Sequence, residues 1–189
     1  MAEREKLVMM NPTELIDYVR KESHVVWKAV EAFIRRENNE GRDLLIEGVA
    51  VLPELVSQLE DIPHRVVFIG NQGENHKENI KKSAEENDHD WMRGVSDQYI
   101  GAFAMFVKRM SVYIEQEAKK YGFEYIEMDK ELFGDVTEAV KKSLGTINPT
   151  PCTKNKKDQG AGVKLRAGIT VSSRSLRAMA TDWRPNSVR

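Results

Sequence analysis

The chain has 189 residues, 40 % of them hydrophobic and 31 % charged, with one cysteine and a formal net charge of −1. That composition describes a globular protein of single-domain size with enough apolar mass for a real core. It excludes an intrachain disulfide and a multi-cysteine zinc site, and its longest uncharged apolar run, Ile100 to Val107, is too short to span a bilayer.

Residues 1–10 carry Glu3, Arg4, Glu5 and Lys6 and lack the apolar core of a signal peptide, so a cytosolic setting is expected. Residues 13–22 read as a short helix after Asn11-Pro12, with Leu15, Ile16 and Val19 on one side. A second helix is expected from Ser23 to Asn39, facing the core through Val26, Val30 and Phe33, with Trp27 and Ile34 widening the stripe and Gly41 ending it. The stretch from Asp43 to Leu52, nearly continuous in apolar residues from Leu44, reads as a buried strand running into a turn. Pro53 then suits the first turn of a helix that packs Leu55, Val56 and Leu59 inward, and Pro63 breaks it.

Arg65-Val-Val-Phe-Ile69 is the second strand, followed by the loop Gly70-Asn-Gln-Gly73 and a strongly polar segment over 74–97. The longest helix is expected over Asp97 to Tyr121, striped by Tyr99, Phe103, Phe106, Met110 and Tyr113, with Gly122 as its cap. Phe123 to Met128 alternates as a half-covered third strand. Asp135-x-x-Glu138 has the form of a capping box opening a last helix. Strands separated by helices imply crossover connections, hence an α/β body with a mainly parallel sheet, and three strands are few for one.

Charge and texture change after Leu144. Residues 145–189 hold nine Lys/Arg and two Asp/Glu, and their Thr, Asn, Pro, Gly, Ser and Arg show no sustained period. A division follows, with an ordered body over 1–144 and a basic, mobile tail over 145–189. The tail either binds nucleic acid or an anionic surface electrostatically or is simply solvated; with Trp183 as its one aromatic, the solvated reading is preferred.

Several residues carry chemistry. Glu47 closes the first strand, where open α/β sheets bind ligands, so it is either an acid that organises Mg²⁺ or a nucleophile, or a carboxylate capping a neighbouring helix. Arg93 lies in the polar segment 74–96, which is either a solvated excursion or a lid. Arg109 lies in the long helix beside the apolar stripe, as a ligand contact or as plain solvent face. His24 and His64 are expected to be structural. No Gly-x-x-x-x-Gly-Lys-Ser/Thr occurs in the 189 residues, and Glu74, Asn75 and His76 stand where the loop after the second strand would need Gly and Lys.

The order of "LLIEGVAVLPELV", "RVVFIG", a polar segment and "FAMFVKRMSVYIEQEAKKYGFEYIEMD" resembles the carboxyl-terminal two-thirds of P-loop small-molecule kinases, most like 2-phosphoglycerate kinases and their zeta-toxin-like relatives. The resemblance covers about residues 13–144. It implies a partial parallel sheet of a P-loop NTPase fold, nucleoside-monophosphate-kinase-like, with helices on both faces. It implies ATP- and Mg²⁺-dependent phosphoryl transfer to a small phosphorylated hydroxy acid such as 2-phosphoglycerate. By the same resemblance Glu47 is the metal-organising acid, Arg93 the lid arginine and Arg109 a phosphate or carboxylate contact. The central strand with the phosphate loop is expected before residue 1. Without it the chain is expected to be inactive alone, as a truncated kinase or a non-catalytic pseudokinase. The exposed strand edges would favour a homo-oligomer or a partner chain that completes the sheet.

Overall fold

In a computed structural model of the chain, the described residues are 11–90, 92–128, 133–144 and 168–171. Helix α1 spans Pro12–Asn39 without interruption. The Asn11 side chain accepts from Thr13 N–H at its start, and Pro12 sits where no donor is needed. Its far end closes with Gly41 at φ 68°, Gly41 N–H bonding to Asn38 and Arg42 N–H to Glu37. Two helices were expected here. Ser23, read as the start of the second, is instead buried inside one helix, its hydroxyl donating to the Val19 carbonyl at 2.8 Å.

Strand β1 (Leu45–Glu47) leads to the one-turn helix α2 (Pro53–Val56) and then to β2 (Arg65–Gly70). Helix α3 (His76–Glu86) lies within the polar segment, and α4 (Asp97–Tyr121) follows. Ser96 caps α4 through Tyr99 N–H, and Gly122, at φ 74°, ends it, as the spacing predicts. Strand β3 (Glu124–Glu127), helix α5 (Phe133–Leu144) and strand β4 (Gly168–Val171) complete the order.

The four strands form one parallel sheet in the order β1-β4-β2-β3. From β1 to β2 to β3 the chain advances in one direction, so right-handed crossovers place α2 and α4 on a single face. The return from β3 to β4 puts α5 on the other. Packing agrees. Phe68 belongs to a large core with Trp27, Ile34, Leu52, Leu55, Met110 and Ile114, whereas Val67, Ile69 and Ile126 meet Leu144 in a smaller one. Alternate residues of β2 are therefore buried on opposite faces, which is why its sequence is continuously apolar.

Three further expectations change. Val26 and Phe33, expected to face the core, turn outward at 46 % and 48 % exposure, because Trp27 and Ile34 on the other side of the helix are the ones buried. Residues 168–171 of the segment read as a mobile tail form β4, inside the sheet between β1 and β2. The strand that runs into a turn at 49–50 is present but not buried: β1 has three residues at the sheet edge, with Leu45 60 % exposed. The later Val49, Val51 and Leu52 are buried in the turn that enters α2. Composition alone could not separate an apolar turn from an apolar strand. Among the described residues, no helix is long and apolar enough to cross a membrane. Trp91, Cys152 and the basic side chains beyond residue 144 lie outside the described residues.

Candidate functional site

The outgoing connection of β2 runs to the α4 face and that of β3 to the α5 face. Adjacent strands whose connections diverge leave a crevice at their carboxyl ends, the usual ligand position in an open α/β sheet. Loop 71–73 and Glu127 stand at these carboxyl ends, bonded to each other and to Ser111 and Glu115 of α4.

Chain geometry explains the packing. Gly70 ends β2 against α4 so closely that a Cβ there would stand 2.1 Å from the Tyr125 hydroxyl and 2.8 Å from Ser111 Cβ. Only glycine fits. Asn71 N–H then donates to Ser111 Oγ at 2.9 Å, while Ser111 donates to the Val107 carbonyl at 2.7 Å. Gln72 N–H donates to Glu127 Oε1 at 2.9 Å, and Gly73 N–H to Asn71 Oδ1 at 3.1 Å. The Gln72 amide donates to Glu115 Oε2 at 2.8 Å and to the Tyr125 hydroxyl at 3.1 Å, and that hydroxyl donates onward to Glu127 Oε2 at 2.9 Å. Lys119 closes the set on Glu115 Oε1 at 2.7 Å. Burial, reinforced by the two carboxylates, raises the Tyr125 pKa above its ordinary value and keeps it a donor at neutral pH.

This arrangement decides what the loop can do. Successive backbone N–H groups are what cradles a phosphate, and all three in Asn71–Gly73 already have protein acceptors, one of them a carboxylate. Glu127 thus occupies the place of an anion. Two carboxylates facing one crevice repel phosphate and suit hydroxyl or ammonium donors. The loop is no nucleotide cradle, in line with the acid, amide and imidazole that follow it.

The three residues singled out in the sequence are not brought to this crevice. Glu47 ends the edge strand, level with Thr170 and Val67, and is exposed. Three strand spacings and three residues of rise separate it from Glu127, roughly 17 Å. Arg109 is exposed on α4 and lies about 200° around the helix from Ser111. Arg93 is exposed in the turn after α3, where it pairs with Asp88. It lines an open pocket of about 200 Å³ with Lys81, Met92 and Asp97, beside the start of α4. Asp97 is held below its usual pKa first by the bond from Lys77, at 2.5 Å, and then by Lys81. Fourteen helical residues, about 21 Å, separate Asp97 from Ser111. The segment 74–96, expected as a solvated excursion or a lid, thus holds the eleven-residue helix α3, fastened to α4 through buried Ile80 and Ala84 and through the Lys77–Asp97 and Lys108–Glu74 pairs. Of the two histidines expected to be structural, His64 donates from Nδ1 to the Ile62 carbonyl at 2.7 Å, and His24 is exposed on α1.

A second polar knot joins three helices. Glu54 of α2 accepts from Arg20 Nε of α1 at 3.3 Å and from the Tyr113 hydroxyl of α4, with the guanidinium 5.1 Å from the Tyr113 ring centre. Burial, then the Glu54 bond, raises the Tyr113 pKa. Gln72, Glu115 and Glu127 were not singled out from the sequence. The one signal for them was the alternation Tyr125-Ile-Glu127, which puts a carboxylate beside a tyrosine on the covered face of a strand end. Among the described residues, no three His, Cys, Asp or Glu side chains converge to hold a metal ion. Compared with protein-family models, curated proteins and solved structures, the chain matches none of them.

Proposed function

We propose that the chain is a P-loop-kinase-like protein whose own carboxyl-terminal strand stands in for the phosphate-loop strand, and that it acts as a non-catalytic binding or assembly module rather than as a phosphotransferase by itself. The observation that carries this reading is β4, parallel and central between β1 and β2, in the position where the resembled kinases keep the strand that feeds the phosphate loop. Glu47 then ends the neighbouring strand, as the acid that organises Mg²⁺ would in such a fold. The string after β4, Ser172-Ser-Arg-Ser175, has neither the glycines nor the lysine of that loop. The loop after β2 has its N–H groups already bonded. The residues therefore do not fit a triphosphate cradle, and no phosphoryl-transfer step is assigned to them.

The competing reading is an active ATP- and Mg²⁺-dependent kinase for a small phosphorylated hydroxy acid such as 2-phosphoglycerate, with Arg93 and Arg109 as phosphate contacts. Calorimetric titration of the full chain with Mg-ATP, with and without 2-phosphoglycerate, separates the two. No saturable heat at millimolar ATP from the folded chain is the expected result. Saturable binding that weakens in Glu47→Gln would overturn the non-catalytic reading and favour the kinase.

A further inference from the structure

Helix α1 has a second apolar face that none of the other described residues buries. Its inward side is Leu15, Val19, Trp27 and Ile34. On the outward side Val25 is 68 % exposed, Val26 46 % and Phe33 48 %, and Ala29 and Ala32 are exposed between them. At 100° per residue these five fall within about 60° of the Ala29 direction, one contiguous stripe. Glu22 and Arg36 lie on the same line, seven residues before and seven after Ala29, and both are exposed. No element among the described residues covers this stripe.

We propose that the stripe pairs with the same stripe of a second copy of this chain, antiparallel, about a two-fold axis at Ala29. The charges select this occupant and this orientation. In an isologous antiparallel pair, positions equidistant from the axis meet, so Glu22 faces the partner's Arg36 twice, and Val25 faces the partner's Phe33 twice. A parallel pair would set Glu22 against Glu22 and Arg36 against Arg36. Ala29 at the crossing, with Ala32 on the flank, lets the axes approach to about 8 Å. Arg36 pairs with Glu40, one helical turn away at 3.1 Å and exposed, and such a pair yields its arginine at little cost. From Glu22 to Arg36 the stripe is about 21 Å long, the extent of a reversible contact and not of an obligate dimer. The face is legible as a heptad-like seam once the inward face of α1 is known, because a single helix carrying two apolar stripes needs two surfaces to cover them.

The full chain, followed by sedimentation equilibrium from about 10 µM to about 0.5 mM, is expected to show a concentration-dependent monomer–dimer equilibrium. Glu22→Arg and Arg36→Glu each place like charges at both symmetric contacts and are expected to weaken association about tenfold or more. Both positions are exposed, so both variants keep the wild-type circular dichroism. Mixed in equal amounts, the two variants are expected to form a heterodimer, because one copy then brings two arginines and the other two glutamates to the matching positions. The double variant is expected to self-associate like the wild type. A wild-type chain monomeric over the whole range overturns the proposal and leaves the stripe to this chain's carboxyl-terminal segment or to another protein. A dimer unmoved by either reversal, or reversals that do not rescue one another, overturns it as well.

Discussion

A proline at Thr170 removes a backbone donor from the middle of β4, and the register makes the consequence calculable. Thr170 pairs with Glu47 on one side and Val67 on the other, so its backbone is committed within a four-stranded ladder and has no edge to turn toward water. The missing N–H leaves a carbonyl without its donor, and the pyrrolidine ring cannot be accommodated in a central strand, together about 3 kcal/mol or more. Against a total stability of roughly 5–15 kcal/mol, this is a large fraction. With a urea slope of about 2 kcal/mol per molar, Thr170→Pro is expected to lower the unfolding midpoint by about 1.5 M. Thr170→Val keeps the N–H and the β-branched shape and is the control, expected within about 0.5 kcal/mol of wild type. Equilibrium urea unfolding followed by circular dichroism measures both. If the proline variant unfolds within about 0.3 M of the valine variant, β4 is not the centre of the sheet and the reasoning fails.

Two further outcomes follow from the crevice and the helix knot. Gly70→Ala drives a methyl group against the Tyr125 hydroxyl, which its bonds to Gln72 and Glu127 hold in place, and is expected to cost about 1–3 kcal/mol. Adding Tyr125→Phe should recover part of that loss; a double-mutant cycle in urea with no coupling would reject the contact. The raised pKa values of Tyr113 and Tyr125 mean that the folded state keeps protons the unfolded chain releases. Their contribution is complete below the unfolded tyrosine pKa of about 10 and is lost as pH rises above it. The slope is at most about 1.4 kcal/mol per pH unit for each, reduced by solvent screening because both rings are only half-buried. Stability measured in urea from neutral to alkaline pH should fall beyond about pH 10 in wild type and less steeply in Tyr113→Phe and in Tyr125→Phe. An unchanged slope in both variants would refute the assignment.

What the sequence made legible is what depends on neighbours in the chain. The β2 run, the helix from Asp97 to Tyr121 and its closing Gly122 follow from local period and local capping, and they stand where expected. The stripe on α1 shows the limit. Val26, Val30 and Phe33 have helical spacing and so do Val19, Trp27 and Ile34, and periodicity cannot say which of two apolar faces a helix turns inward. Nor can composition find α3, eleven mostly polar residues anchored through Ile80 and Ala84. Strand β4 is harder still. Its four residues carry no period of their own, and only the two flanking strands, distant in sequence, give them a partner.

The same dependence on distant partners explains the candidate site. Gln72 in a polar loop, Glu115 on a helix and Glu127 at a strand end are unremarkable in the sequence; the parallel pairing of Gly70 with Glu127 and the close approach of α4 at Gly70 bring them together. Glu47, by contrast, is conspicuous as the one charge inside the apolar run 44–52, and the fold spends most of that run on a turn, leaving the carboxylate on an exposed edge strand. Glu47 is exposed, so the strongest sequence argument for it as a charge-organising acid, the cost of burying it, does not apply in this structure. The argument transfers to Glu127, which is partly buried and takes up a loop amide and a tyrosine hydroxyl. Any ligand entering this crevice must first compete with the protein's own carboxylate for those donors, which favours a partner that donates hydrogen bonds over one that accepts them.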